Sequence, residues 1–279
     1  MRVGVRAQDL RGRLPAEELA ACVSQNGFNS VQLTLDDALK GFVYRPGILN
    51  TGLAYHVAQA FRQERVQTAV FSCYINPVHP DPEQRQFQIA KFKEFVRFAR
   101  DFDCAIVATE TGSICPDGAY DPWNHSEEAF QCLLESLREM VAEAEKFGVT
   151  VCVEGVDRLV IHDVQSFRQM LNALPSDNLQ ILFDSVNLLN AQNYTSAAAV
   201  IEEALSSFGE RIAVFHMKDF VVENGTLRRV PIGEGVMDFL PLLRYIKENK
   251  PYVNVIVEEY WPEGAVKSLQ YLKDTYAKL

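Results

Sequence analysis

The sequence predicts an α/β protein built as one (β/α)8 barrel, the TIM-barrel architecture, over residues 1–279. Three observations carry that expectation. Short apolar runs alternate with helical patterns along the whole chain. The runs are continuously apolar rather than alternating, as in parallel strands covered on both faces. Eight such strand–helix units repeat every roughly 35 residues, the rhythm of a barrel that takes about 250. No Gly/Ser/Pro linker divides the chain, so a single domain is expected. A doubly wound open sheet is the structural alternative.

Taken in order, the first strand is "RVGVRA" from Arg2, followed by a helix in "AEELAACVSQNGF" that stops at Gly27. The second is "SVQLTL" from Ser30 and the third "QTAVFSCY" from Gln67. The helix "EQRQFQIAKFKEFVRFARDF" then carries Phe87, Phe92, Phe95 and Phe98 at helical spacing. "CAIVATE" from Cys104 leads to "SEEAFQCLLESLREMVAEAEKFG", with Ser126 as N-cap, acids in the first turn and a stop at Gly148. "VTVCVEG" from Val149 and "LQILFDS" from Leu179 flank the helix "VQSFRQMLNAL". "IAVFHMKD" from Ile212 follows "AAAVIEEALSSFG", and "NVIVEEY" from Asn254 follows "DFLPLLRYIKEN".

Composition bounds the function. With 48% hydrophobic and 23% charged residues the chain is ordinarily globular. A net charge of -10 repels phosphate backbones, which disfavours sequence-independent nucleic-acid binding. Cys22, Cys73, Cys104, Cys115, Cys132 and Cys152 form no CxxC pair, and three of them sit inside apolar runs. The start lacks a long apolar signal region, and no segment approaches the roughly 20 apolar residues of a membrane helix. A cytoplasmic protein with free thiols, not associated with membranes, is therefore expected.

Four strands end on groups that a buried strand has no use for. Glu154 closes the fifth, Asp184 the sixth, His216 the seventh and Glu258 the eighth. Barrel active sites lie at the carboxyl ends of the strands. Consecutive strands are neighbours, so these four side chains should converge above the barrel mouth. Singly, a glutamate there is usually a cap or a solvated loop residue, and a histidine a satisfied structural one. Four on consecutive strands are a different matter. Three carboxylates and an imidazole suit one divalent ion such as Mn, Co, Mg or Zn better than a thiolate-preferring metal. Glu259 is the alternative to Glu258, although the parallel endings "VCVE" and "VIVE" favour Glu258.

With these residues in place, the chain resembles the sugar phosphate isomerase/epimerase superfamily, the xylose-isomerase-like TIM barrels. The stretches "CVEG", "LFDSVNLLN", "FHMKDF", the glycine pair of "PIGEGVMDF" and "VIVEE" occur in family order and span nearly the whole chain. The superfamily includes ketose 3-epimerases, hydroxypyruvate isomerase, inosose dehydratase, xylose isomerase and endonuclease IV. The resemblance implies a divalent metal held by Glu154, Asp184, His216 and Glu258, with Glu154 and Glu258 also acting as acid/base residues. A metal on the carbonyl and neighbouring hydroxyl acidifies the adjacent C–H, and a carboxylate then removes the proton to give a metal-stabilised enediolate.

The departures narrow this. Endonuclease IV uses extra histidines, but the fourth strand here ends on "ATETGS" and the "GEGVMD" loop has none. Asn187 stands three residues after Asp184, where several family members carry a substrate-contacting histidine. Ligands for one metal are visible, and a nuclease is not expected.

Other candidates surround the site. Lys218 is placed to bind a substrate hydroxyl, carboxylate or phosphate, or to pair with Asp219. Arg158 and His162 follow Glu154 and are candidates to line the pocket; His162 is alternatively a cap for the helix near Asp163. Glu110 tips the fourth strand. Asn76 and His79 lie on a Pro-rich loop after the third, where His79 reads better as a loop contact than a ligand. Gln8 and Gln32 are polar pocket candidates. Trp123 and Trp261 lie on loops at the mouth, suited to stacking on a sugar ring or closing it. The GxG of "GEGVMDF" alone is a weak phosphate signal, and the resemblance makes it a loop with Glu234 exposed or near the site.

The leading expectation is a metal-dependent isomerase or epimerase of a small-molecule carbohydrate, phosphorylated or not. The alternatives are a keto-polyol (inosose-type) dehydratase using the same groups, and a non-catalytic sugar-binding barrel. Apolar loop residues such as Trp123 and Phe42 would suit a homo-oligomer.

Overall fold

The computed structural model describes residues 1–10, 12–258 and 262–279. The eight apolar runs form β1 (Arg2–Arg6), β2 (Ser30–Leu33), β3 (Gln67–Ser72), β4 (Ile106–Glu110), β5 (Thr150–Glu154), β6 (Leu179–Asp184), β7 (Ile212–Met217) and β10 (Asn254–Val257). They close a parallel barrel in the order β1-β10-β7-β6-β5-β4-β3-β2. The fold is thus the expected (β/α)8 barrel and not an open sheet.

The helices are α1 (Ala16–Gln25), the single turn α2 (Leu35–Ala38), α3 (Thr51–Gln63), α4 (Pro82–Phe98), α5 (Glu127–Phe147), α6 (Val164–Ala173), α7 (Ala197–Phe208), α8 (Leu240–Asn249) and α9 (Glu263–Lys278). Their ends follow local chemistry. Ser126 accepts from the Ala129 amide at the start of α5, and Gly148 ends it at φ 59°. Asp163, rather than His162, caps α6, in a capping box with Ser166. No helix of the described residues is long and apolar enough to cross a membrane.

Two expectations are corrected. Phe42 is only 4% exposed and packs in the core, so it offers nothing to a partner, whereas Trp123 is 58% exposed. Phe87 shares helical spacing with Phe92 and Phe95 but is 46% exposed while they are buried, and it lines a cavity beside the ends of β2 and β3.

A further element was not anticipated. β8 (Asp219–Glu223) and β9 (Thr226–Val230) form an antiparallel hairpin outside the barrel. Its turn is Asn224-Gly225, with φ 50° and 75°, the local signature of a tight hairpin whose two central residues need positive φ.

The core has two parts. The larger packs the outer faces of the strands against the helices. The smaller plugs the barrel lumen with Val70, Ala108, Cys152, Leu182, Val214 and Ile256. Side chains alternate across a strand, so the residue two positions beyond each plug residue also faces the lumen, one layer nearer the mouth.

Candidate metal centre and catalytic pocket

That upper layer is where the strands deliver their polar groups. Cys152 is followed at the next lumen position by Glu154, Leu182 by Asp184, Val214 by His216 and Ile256 by Glu258. Asp184 and His216 are partners in register, and Glu258 follows directly on β10. One ligand atom from each of Glu154, Asp184, His216 and Glu258 lies within 4.8 Å of the others, and all four residues are buried.

Cations complete the cluster. The Lys218 ammonium is 2.6 Å from Glu258 Oε2, 3.0 Å from Asp184 Oδ2 and 3.1 Å from Asn187 Oδ1. Arg6, at the tip of β1, places Nη1 3.0 Å from Glu258 Oε2 and is itself braced by Asp9. Asn187 also donates from Nδ2 to Glu154 Oε1 at 2.8 Å. Asp184 Oδ1 accepts the backbone amides of Val186 and Asn187, which turns its other oxygen toward Lys218.

The imidazole is oriented from across the lumen. Gln32 on β2 donates from its amide nitrogen to Tyr74 Oη at 2.8 Å, and its Oε1 lies 2.5 Å from His216 Nε2. With the amide assigned this way, Nε2 carries a proton. Nδ1 then faces Glu258 Oε1 at 2.5 Å and Glu154 Oε1 at 3.3 Å. Nδ1, Asp184 Oδ2 and both Glu258 oxygens are buried without an aligned hydrogen bond. Several carboxylate oxygens and a lone-pair nitrogen converging in this way repel one another unless a cation or proton stands among them. The donor set, one imidazole and three carboxylates with a buried amide fixing the tautomer, fits a divalent ion of the Mg, Mn, Co or Zn kind.

In the protein alone a proton on His216 takes that place. Burial would lower the His216 pKa, but Glu258 and Glu154 override it and hold it at about 10. Burial would raise Glu258, yet Lys218, His216 and Arg6 keep it well below the usual carboxylate range. Lys218 is likewise held protonated by Asp184 and Glu258 against the cost of burial. Burial, then the charge of Glu154, raises Glu110 to about 7.

Beside the cluster, a pocket of about 290 Å³ opens between the loops after β3, β4 and β5, lined by Tyr74, Glu110 and Arg158 among others. Glu110 is the strand partner of Glu154, so this pocket adjoins the centre. His162 does not share it. Its ring stacks on His125 at 3.7 Å and lines a separate cavity of about 380 Å³ with Glu203. The loop after β5 turns back at Val156, whose amide bonds Ile161, and carries His162 away from the mouth.

The other candidates have structural roles. Gln8 accepts from Thr34. Asn76 ties two loops together through Ser113, and His79 accepts the Asp81 amide. Glu234 pairs on the surface with Lys267. Asp219 turns away from Lys218 and accepts the amides of Phe220, Gly233, Gly235 and Met237. A Cβ on Gly235 would meet Asp219 Oδ1 at 2.1 Å, so this loop requires glycine there. Glu259 and Trp261 lie outside the described residues. Sequence reasoning missed Arg6 and Tyr74. The strand-end rule that found the ligands also covers Arg6, but a search for metal donors passes over a guanidinium.

The sequence matches the family model described as "xylose isomerase-like TIM barrel" over residues 20–275. No curated protein matches it. Among solved structures, a D-tagatose 3-epimerase-like protein is 19% identical, with a TM-score of 0.78 over 100% of this chain and 97% of that one. The IolI protein with a binding zinc atom is 18% identical, with a TM-score of 0.75 and coverage of 100% and 97%. A xylose isomerase-like TIM barrel protein from Mycobacterium smegmatis in complex with magnesium is 13% identical, with a TM-score of 0.76 and coverage of 99% and 97%. At such identities the likeness is one of fold. The family match spans most of the chain, and the chain belongs to the xylose isomerase-like TIM barrel family.

Proposed function

We propose that this family member is a metal-dependent isomerase or epimerase of a small sugar or sugar phosphate, working through an enediolate with Glu154 and Glu258 as the proton carriers. The observation that carries the reading is the buried quartet of Glu154, Asp184, His216 and Glu258 within 4.8 Å, set beside a pocket of about 290 Å³. The zinc and magnesium bound by two structural neighbours support it, as does the neighbour that is D-tagatose 3-epimerase-like. Glu154, Asp184, His216 and Glu258 would hold a divalent ion, which would supply Lewis acidity and so acidify the C–H next to a substrate carbonyl.

The chain's own groups do the rest. Glu154 removes the proton. Its Oε1 is held by Asn187, which in turn is held by Lys218, so the base is fixed by a three-residue chain. Glu258 is kept ionised by Lys218 and Arg6 and carries the second proton movement from the other side of the cluster. The Lys218 ammonium stabilises negative charge developing on substrate oxygen. Asn187, Glu110 and Arg158 contact the remaining substrate hydroxyls.

The test is solvent deuterium incorporation. Manganese-loaded protein in heavy water is offered ketoses, their phosphates and inososes, and products are read by NMR. Label at one carbon of one compound is expected, and its position separates isomerisation from epimerisation. An absorbing enone would signal water loss instead. Glu154→Gln should keep the fold and lower exchange by roughly 10²–10⁴-fold, the usual contribution of a positioned acid/base group. Undiminished exchange removes Glu154 as the base. No label anywhere with metal bound favours a sugar-binding barrel.

A further inference from the structure

A second cavity, of about 440 Å³, opens at the same mouth on the β2–β3 side. It shares Tyr74, Ile75 and Gln88 with the pocket that holds Glu110 and Arg158. The two cavities thus adjoin at Tyr74, whose hydroxyl also supports the Gln32–His216 contact. The second, a lobe of the same mouth, is the larger, and a monosaccharide reacting at the cluster has no use for it.

Its walls are amphipathic in a particular way. Phe87 and Val43, 46% and 66% exposed, form an apolar side. Tyr44 stands edge-on to Phe87, with ring centroids 6.2 Å apart. It is held rigid by its hydroxyl on Glu94 and by the Lys91 ammonium 4.9 Å above its ring. Asp36 and Asp37 also line the lobe; Asp36 accepts the Tyr44 backbone amide and pairs with Lys91 at 2.7 Å. Ser72, another wall residue, is 1% exposed, and its hydroxyl has no hydrogen-bond partner. A buried hydroxyl left so costs free energy that a ligand group would recover.

We propose that this lobe binds a glycosyl ring, so that the substrate is a disaccharide or other glycoside whose carbonyl-bearing unit sits at the metal centre. For the reacting end this rests on the function proposed above. A sugar ring offers both things the lobe asks for. Its C–H face lies on Phe87 and Tyr44, while its hydroxyls donate to Asp37 and bond Ser72. With Asp36 paired to Lys91, the Asp37 carboxylate disfavours a free anion, and a purely aromatic group would leave Ser72 unsatisfied.

The test uses manganese-loaded protein with fructose, isomaltulose and turanose, the last two being glucosyl-fructoses with a free keto unit. Dissociation constants come from calorimetry, and manganese-induced line broadening reports which ring lies nearer the metal. At least one disaccharide should bind ten or more times tighter than fructose, with its fructosyl protons broadened more than its glucosyl ones. Phe87→Ala and Val43→Asp should each bring that ratio close to one. Equal affinities for all three sugars, or a ratio that survives both substitutions, would overturn the glycosyl lobe. Deuterium exchange in the same samples separates the two ideas. A disaccharide preference that is lost in Phe87→Ala, with no exchange into any sugar, keeps the lobe and sinks the enediolate chemistry. Exchange into fructose without any disaccharide preference does the reverse.

Discussion

The two layers of the barrel lumen are made by the same strands, two residues apart, yet they do opposite things. The lower layer of Ala108, Cys152, Leu182, Val214 and Ile256 is apolar and closes the lumen. The upper layer of Glu110, Glu154, Asp184, His216 and Glu258 gathers four acids and an imidazole on that plug. Burial stabilises the first and penalises the second. Because the plug closes the lumen from below, the upper charges are balanced from within the layer, by Lys218 and Arg6. The lesson is that the ion pairs here hold a costly constellation in place, and the fold's stability comes from the layer beneath.

The largest expected break is Lys218→Met. Removing the cation between Asp184 and Glu258 leaves buried carboxylates uncompensated, which costs about 3–5 kcal/mol. Urea unfolding of the metal-free variant should show that loss, and added manganese should recover much of it. Unchanged stability would mean that water already solvates these carboxylates. Leu182→Ala, in the plug, should cost about 3 kcal/mol, and this time manganese should not restore it. A full rescue by metal would erase the distinction between the layers.

Smaller effects sharpen the picture. Gln32→Leu frees the His216 ring and should weaken metal affinity about tenfold, measured by competition with a chelator, with little change in stability. An unchanged affinity would show that the tautomer is set elsewhere. The smallest effect concerns Glu110, whose pKa is raised to about 7. A raised carboxyl favours the neutral form in the fold. Its contribution is full below the unfolded glutamate value and is lost as pH rises through about 7. At a half-buried position this amounts to roughly 1 kcal/mol. Glu110→Gln should therefore flatten the fall in metal-free stability between about pH 4.5 and 7, the window between those two values. A parallel fall in both proteins would assign it to another group.

Much of this was legible in advance, residue by residue. Glu154, Asp184, His216 and Glu258 could be placed because each ends an apolar run, and a parallel barrel brings consecutive strand ends together. Ser126 and Gly148 marked α5 because caps act within a turn. The Asn224-Gly225 turn is equally local, since a two-residue hairpin needs positive φ at both central residues. His162 went astray, since the path of the loop after β5 depends on what it packs against.

The sequence by itself determined the strands, their lumen-facing period of two and the chemical type of the ligand set, because all three depend on neighbours a few residues apart. Only the tertiary structure decided that Gln32 orients His216 across 184 residues of chain, that Arg6 and Lys218 meet on one oxygen of Glu258, and that Phe87 faces a cleft instead of the core. These contacts follow from barrel closure, which fixes distances between side chains by the shape of the whole sheet and leaves no mark in local order.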